Sequence, residues 1–172
     1  MRSARNPTGK RTEPRKRGST KSNIMSTFTQ ILFQIVFATK KNETTLCESG
    51  QEKLYKYIWG IIKNKKCHLY RIGGVENHIH IILHLHPSLA IADLVKDIKL
   101  GSSSFIKAEQ IFPNFKGWQI GYGAFTYSIS AKENLIEYVK NQKEHHKKVS
   151  FRDEYIGLLK EHAIEFDEKY LL

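Results

Sequence analysis

Hydrophobic positions along this chain recur with two different periods, and the switches between them mark out its elements. From Thr27 to Thr39, TFTQILFQIVFAT is dense in Phe, Ile and Val, as expected of a central strand buried on both faces. Leu54, Tyr55, Ile58, Ile61 and Ile62 then fall near 3.6-residue spacing, which predicts an amphipathic helix over 48–66. Cys67 to Ile72 reads as a strand, Gly73-Gly74 as a turn, and Val75 to Leu85 as the hairpin partner that Pro87 ends. Ser88 is placed to cap a second helix through Leu89, Ile91, Leu94, Val95 and Ile98 toward Gln110. The aromatic, glycine-punctuated run GWQIGYGAFTYSI (117–129) is strand-like. Ser130-Ala131-Lys132-Glu133 has the form of a capping box opening a helix through about His146, and Phe151 to Ala163 is a last amphipathic segment.

The order is strand, helix, strand, strand, helix, strand, then further helices. It predicts an α+β fold of the ferredoxin-like, split βαβ kind: an antiparallel sheet with helices on one face, followed by a C-terminal helix bearing Tyr138. That architecture hosts many functions, so the chemistry must come from a site.

Charge sharpens the domain picture. The chain has 172 residues and a net charge of +11, but residues 1–24 hold eight Arg/Lys against the single acid Glu13. The other 148 residues, with 20 basic and 16 acidic side chains, are only mildly basic, so overall charge argues weakly for nucleic-acid binding. Residues 1–24 lack apolar periodicity and read as a disordered basic leader, either an upstream start or an addition foreign to the body, with Met25 standing before the first strand. No secretory signal or membrane span is visible, and Cys47 and Cys67 read as buried, reduced thiols, so a cytoplasmic setting is expected.

The segment NHIHIILHLH (77–86) raises a chemical question. By parity, His78, His80, His84 and His86 share one strand face, and Ile79, Ile81, Leu83 and Leu85 the other. His-x-His on a strand sets two imidazoles about 7 Å apart at the backbone, able to converge on one divalent cation. The same pattern also suits a half-buried sheet surface. In AKENLIEYVKNQKEHHK, Tyr138, Gln142 and His145 lie at i, i+4 and i+7 on one helix face, beside the apolar stripe of Leu135, Ile136 and Val139. A Gln carbonyl joined to two imidazoles favours Mg²⁺ or Mn²⁺ over a closed zinc site. Tyr138 is either a nucleophile one turn away or an amphipathic packing residue.

Residues 25–172 resemble the small HUH-class tyrosine transposases of bacterial insertion sequences, the insertion-sequence-200-like group. The resemblance is carried by NHIH (77–80), GWQIGYGAFTYS (117–128) and YVKNQ (138–142), in register. It implies a metal-dependent enzyme that cleaves and rejoins single-stranded DNA at hairpin-bearing transposon ends through a 5′-phosphotyrosine. His78, His80 and Gln142 would hold the cation and Tyr138 would attack. It further implies a homodimer in which one protomer's tyrosine helix completes its partner's histidine site, and a nucleoid-associated life in bacteria. On that reading residues 25–148 are the catalytic domain and 149–172 a helical tail packed on the domain or the dimer.

Lys140, Lys143, Lys147 and Lys148 could steer a DNA backbone toward Tyr138 or simply complement a helix end. Arg71 is a further candidate DNA contact, and Trp118 and Tyr122 are candidates for stacking on unpaired bases or for core packing. His84, His86, His145 and His146 read as solvated surface histidines, and Glu76 and Asn77 carry no assigned chemistry. A non-catalytic ferredoxin-like nucleic-acid-binding module, indifferent to metal and to Tyr138, is the competing function; a small metal-binding protein is a third.

Overall fold

A computed structural model describes residues 28–171; the basic leader falls outside the described residues. Strand β1 (Leu32–Ala38) is followed by α1 (Glu48–Asn64), the hairpin β2 (His68–Gly74) and β3 (His78–His84), α2 (Ile91–Glu109) and β4 (Gly123–Tyr127). Three helices end the chain: α3 (Lys132–Lys140), α4 (Gln142–His145) and α5 (Phe151–Glu161). The sheet is fully antiparallel in the order β2-β3-β1-β4, which is the split βαβ arrangement.

Alternation along β1 and β3 gives the sheet two unlike faces. Ile35, Phe37, Ile79, Ile81 and Leu83 point one way and pack against Leu54, Ile58 and Ile62 of α1 and Leu94, Val95, Ile98 and Ile106 of α2. The opposite face presents Gln34, His78 and His80, all fully buried, among apolar neighbours. There Leu32 and Ile82 meet Leu135 and Val139 of α3, while Val36, Ala38 and Phe125 meet Phe151, Tyr155, Leu158 and Leu159 of α5. The two helices α1 and α2 share one face, as expected, and the C-terminal helices cover the other. The cause is visible in β1: a strand that is apolar on both sides needs cover on both sides.

Several expected boundaries move for local reasons. Gly73 and Gly74 lie inside β2, and the turn falls at 75–77. Both glycines are required by packing. A Cβ on Gly73 would stand 3.0 Å from Val139 of α3, and one on Gly74 would press into the His78 carbonyl and reach 2.8 Å from the Ile79 Cα. Helix α2 begins at Ile91 with Ala90 as its N-cap, so Ser88 does not cap it; His86 holds the Ser88 hydroxyl at 2.8 Å instead. Residues 117–122 form a loop joined to the end of β1 by the Thr39–Trp118 bridge and the Gln119 N–H bond to the Ala38 carbonyl, and Lys99 ties it down by donating to the carbonyls of Gln119 at 2.7 Å and Gly121 at 2.6 Å. Burial pushes the Lys99 ammonium down to about 8. The capping box is not made, since α3 opens from a 3-10 turn with Ala131 at its N-cap, and the helix breaks at Asn141. Cys67 is buried but Cys47 is exposed; both are free thiols. No helix among the described residues is long and apolar enough to cross a membrane.

The close approach at Gly74 yields a stability prediction. Gly74→Ala should destabilise the fold by about 1–3 kcal/mol, the usual cost of forcing atoms into a packed site. Urea denaturation would show a lower midpoint at unchanged slope.

Candidate metal and nucleophile site

Four elements converge on the polar side of the sheet. His78 and His80 come from β3, Tyr138 from α3, Gln142 and His146 from α4 and its C-terminal edge, and Glu154 from α5. One ring nitrogen from each of His78, His80 and His146 and a Glu154 carboxylate oxygen all lie within 4.8 Å of one another. Glu154 Oε2 stands 3.4 Å from His78 Nε2, 3.4 Å from His80 Nε2 and 3.2 Å from His146 Nε2.

Neighbours orient each ring. His78 Nδ1 meets Asn77 Oδ1 at 2.7 Å, and that oxygen can only accept, so the Nδ1 proton lies there and Nε2 faces the cluster. Phe151 stacks on the same ring with centroids 4.1 Å apart. His146 Nδ1 donates to the Val149 carbonyl at 2.8 Å, which aims its Nε2 inward as well. His80 Nδ1 meets the Gln34 amide at 3.0 Å, and Gln34 in turn meets the Tyr127 hydroxyl at 2.9 Å. Because a hydroxyl can donate or accept, Gln34 can present either end to His80.

Gln142 is oriented by the same logic. A carboxylate only accepts, so the Gln142 amide nitrogen faces Glu154 Oε1 at 2.9 Å. Its carbonyl oxygen then points at His146 Nε2 (2.9 Å) and His78 Nε2 (3.3 Å). Tyr138 donates its hydroxyl to the same Glu154 Oε1.

A buried charge must be compensated. Burial alone would raise the Glu154 carboxyl, but the imidazoles of His146, His78 and His80 that face it overturn that and hold it well below the usual range. Burial depresses His78 to about 4, whereas at His146 the burial effect loses to the Glu154 carboxylate and the ring is raised. His78 therefore stays neutral near pH 7. Burial, then the Glu154 charge, hold the Tyr138 phenol far above its ordinary value.

The donor set suits a divalent cation. Buried His80 Nε2 and Glu154 Oε2 have no hydrogen-bond partner among the described residues, although they face each other with the other two rings. Unsatisfied buried nitrogen and carboxylate donors turned to one point are what a cation requires. A cleft of about 650 Å³ opens beside Tyr138, lined among others by Gln34, Tyr127, Asn134, His145 and Glu154, between α3 and α5.

The family model described as "Transposase IS200 like" matches residues 27–142, more than half of the chain. The chain belongs to that family. Among solved structures, the family member is similar to a Deinococcus radiodurans R1 protein assigned as a transposase, with 21% identity, a TM-score of 0.52, and 67% of this chain and 93% of that one covered. It is also similar to a REP-associated tyrosine transposase solved bound to a REP hairpin, at 14% identity and a TM-score of 0.54, covering 73% of this chain and 76% of that one. At such identities the likeness shows a shared fold. No curated protein matches the chain.

The structure brings together His78, His80, Tyr138 and Gln142. It adds His146 and Glu154, both beyond the matched segment. His146 was read as a solvated histidine, but the break at Asn141 lets its ring fold back over Gln142. Glu154 had a legible signal. It shares a helix face with Phe151, Tyr155 and Leu158, and an acid inside an apolar stripe must face a partner.

The proposed DNA contacts lie elsewhere. Trp118 and Tyr122 pack against the α1/α2 side of the sheet, opposite the histidines. Trp118 donates its indole N–H to Ser102 at 2.9 Å and lies edge-on to Phe37 and Phe115. Arg71 is exposed on edge strand β2 beside a bulge, and Lys140 and Lys143 are exposed and paired with Glu137 and Glu48. This packing makes Trp118 structural: Trp118→Ala should cost about 3 kcal/mol of stability, the low end for an aromatic truncation because the ring is only partly buried. Chemical denaturation of the variant beside the parent measures it.

Proposed function

We propose that this transposase cleaves and rejoins single-stranded DNA through a 5′-phosphotyrosine on Tyr138. The observation that supports this most is the shared carboxylate: Glu154 Oε1 accepts the Tyr138 hydroxyl while Oε2 faces His78, His80 and His146. Nucleophile and cation donors are thereby held in one rigid unit.

His78, His80 and Gln142 would hold a divalent cation, the expected Mg²⁺ or Mn²⁺, with His146 and Glu154 beside them. When bound, such a cation supplies Lewis-acid polarisation of the scissile phosphate. A phenol held above its normal pKa is a poor nucleophile, so its proton needs an acceptor. Glu154 Oε1 already accepts that hydrogen bond and is placed to take the proton as Tyr138 Oη bonds to phosphorus. The P–O3′ bond breaks, and the leaving oxygen takes up the proton as a free 3′-OH. Rejoining runs the exchange backwards: a 3′-OH attacks the phosphotyrosine, and Tyr138 leaves as a phenol. Bond energy is conserved, so no nucleotide cofactor is needed. The cleft beside Tyr138 has the volume to receive a nucleotide next to the scissile phosphate.

The substrate we propose is single-stranded DNA carrying a hairpin at the transposon end, the class of DNA bound by the structurally similar REP-associated enzyme. Incubating hairpin-bearing oligonucleotides from the element's ends with Mg²⁺, Mn²⁺ or Zn²⁺ should give a covalent protein–DNA adduct on a denaturing gel. Tyr138→Phe and His78→Ala should abolish it, as should chelation. DNA bound equally by all three proteins without adduct would instead establish the non-catalytic binding module.

A homodimer that exchanges α3 remains the arrangement implied by the family, and it has its own readout. The contacts of Tyr138 and Gln142 to Glu154 and His78 within one chain support self-contained sites. Mixing Tyr138→Phe with His78→Ala should then restore no adduct, whereas exchanged helices would regenerate a quarter to a half of the sites.

A further inference from the structure

We propose that the site is an imidazole-rich centre for a transition ion of the zinc class, with His146 and Glu154 as full ligands, and that it takes such an ion in preference to Mg²⁺. The inference rests on the reading that this cluster holds a cation, and it concerns residues that lie outside the family match.

Donor chemistry is the first argument. Two imidazoles and one amide oxygen, as the motifs alone suggest, are compatible with an oxygen-seeking ion. Adding His146 makes three nitrogens, and adding Glu154 makes one carboxylate. Mg²⁺ demands near-octahedral oxygen coordination and keeps several waters, while imidazole selects zinc, cobalt and nickel. His78 and His80 are fully buried and Glu154 nearly so, which leaves little room for a retained water shell.

Spacing is the second argument. Ligand atoms around a tetrahedral ion with bonds of about 2.0–2.1 Å lie about 3.3–3.4 Å from one another. Glu154 Oε2 sits 3.4, 3.4 and 3.2 Å from the three imidazole Nε2 atoms. The carboxylate thus already stands at tetrahedral edge lengths from every ring, and the whole set closes within 4.8 Å.

Preorganisation is the third. Asn77 Oδ1 and the Val149 carbonyl fix the Nδ1 protons of His78 and His146, leaving both Nε2 atoms as inward donors. Gln34 backs the third ring. Hydrogen-bond partners of this kind fix ring orientation and raise ligand basicity at metal centres. Gln142 Oε1, at 2.9 and 3.3 Å from two of the nitrogens, is placed as a fifth donor when the ion expands its coordination.

The test is metal binding by the full chain after chelation and dialysis, read by calorimetry and by the visible spectrum of the Co²⁺ form. Zn²⁺ and Co²⁺ should bind at one equivalent, on the order of 100-fold tighter than Mg²⁺. Bound Co²⁺ should show the intense absorption of a four- or five-coordinate site. His146→Ala and Glu154→Gln should each weaken Zn²⁺ at least about tenfold. Circular dichroism confirms that the variants fold, and the wild-type comparison of ions stands without them. Mg²⁺ binding as tightly as Zn²⁺, a weak six-coordinate cobalt spectrum, or Zn²⁺ affinity indifferent to both substitutions would overturn the proposal. The strand-transfer reading fails separately, through absence of the Tyr138 adduct with every ion.

Discussion

Everything at this site depends on one buried carboxylate. Glu154 is placed on α5 where water cannot screen it, and a lone charge in that position would cost several kcal/mol. Its compensation comes from β3, α3 and α4 together: three imidazoles, a phenol and an amide. The consequence is mechanical as well as electrostatic. Three helices that share few apolar contacts with one another are registered on the sheet by the requirement that all of them reach one pair of oxygens.

The sheet supplies what makes that registration possible. Each strand sends alternate side chains to opposite faces, so the α1/α2 side can be a dry aliphatic core while the other side carries Gln34, His78 and His80 without disturbing it. A one-residue slip of β3 would bury Ile79 and Ile81 among the polar groups and expel the histidines into the core. The aliphatic face thereby guards the register of the histidine face. Gly73 and Gly74 contribute at the same point, since their missing side chains let α3 and the β2–β3 turn close down on the strand that bears His78.

This division explains what the amino-acid sequence disclosed. Element order and type were legible because each element advertises its own period, and the parity of 77–86 assigned the faces of β3 correctly. The motifs joined Tyr138 and Gln142 to the histidines in advance of any coordinates. The placement of the terminal helices was legible only in part. β1 is apolar on both sides, which calls for a second covering layer, yet nothing in a helix's own pattern states which sheet face it will cover. His146 was hidden by a different cause. Its approach needs the helix break at Asn141, and helical periodicity assumes no break. Ser88 and Ser130 misled because capping chemistry is local, while the chain entry into α2 and α3 is set by the packing of neighbouring segments.

The two oxygens of Glu154 also divide the chemistry. Oε2 belongs to the three imidazoles, whereas Oε1 belongs to Tyr138 and Gln142, with His145 Nε2 at 3.7 Å on the same side. A carboxylate bound to a cation through one oxygen keeps acceptor capacity on the other. On the proposed mechanism, Glu154 could therefore hold a cation through Oε2 and still receive the phenol proton on Oε1. His145 lines the open cleft with its ring 5.5 Å from the tyrosine ring. His145 and His146 thus face the two oxygens of a single glutamate, which on the proposed mechanism would separate charge stabilisation from proton transfer by the width of one carboxyl group.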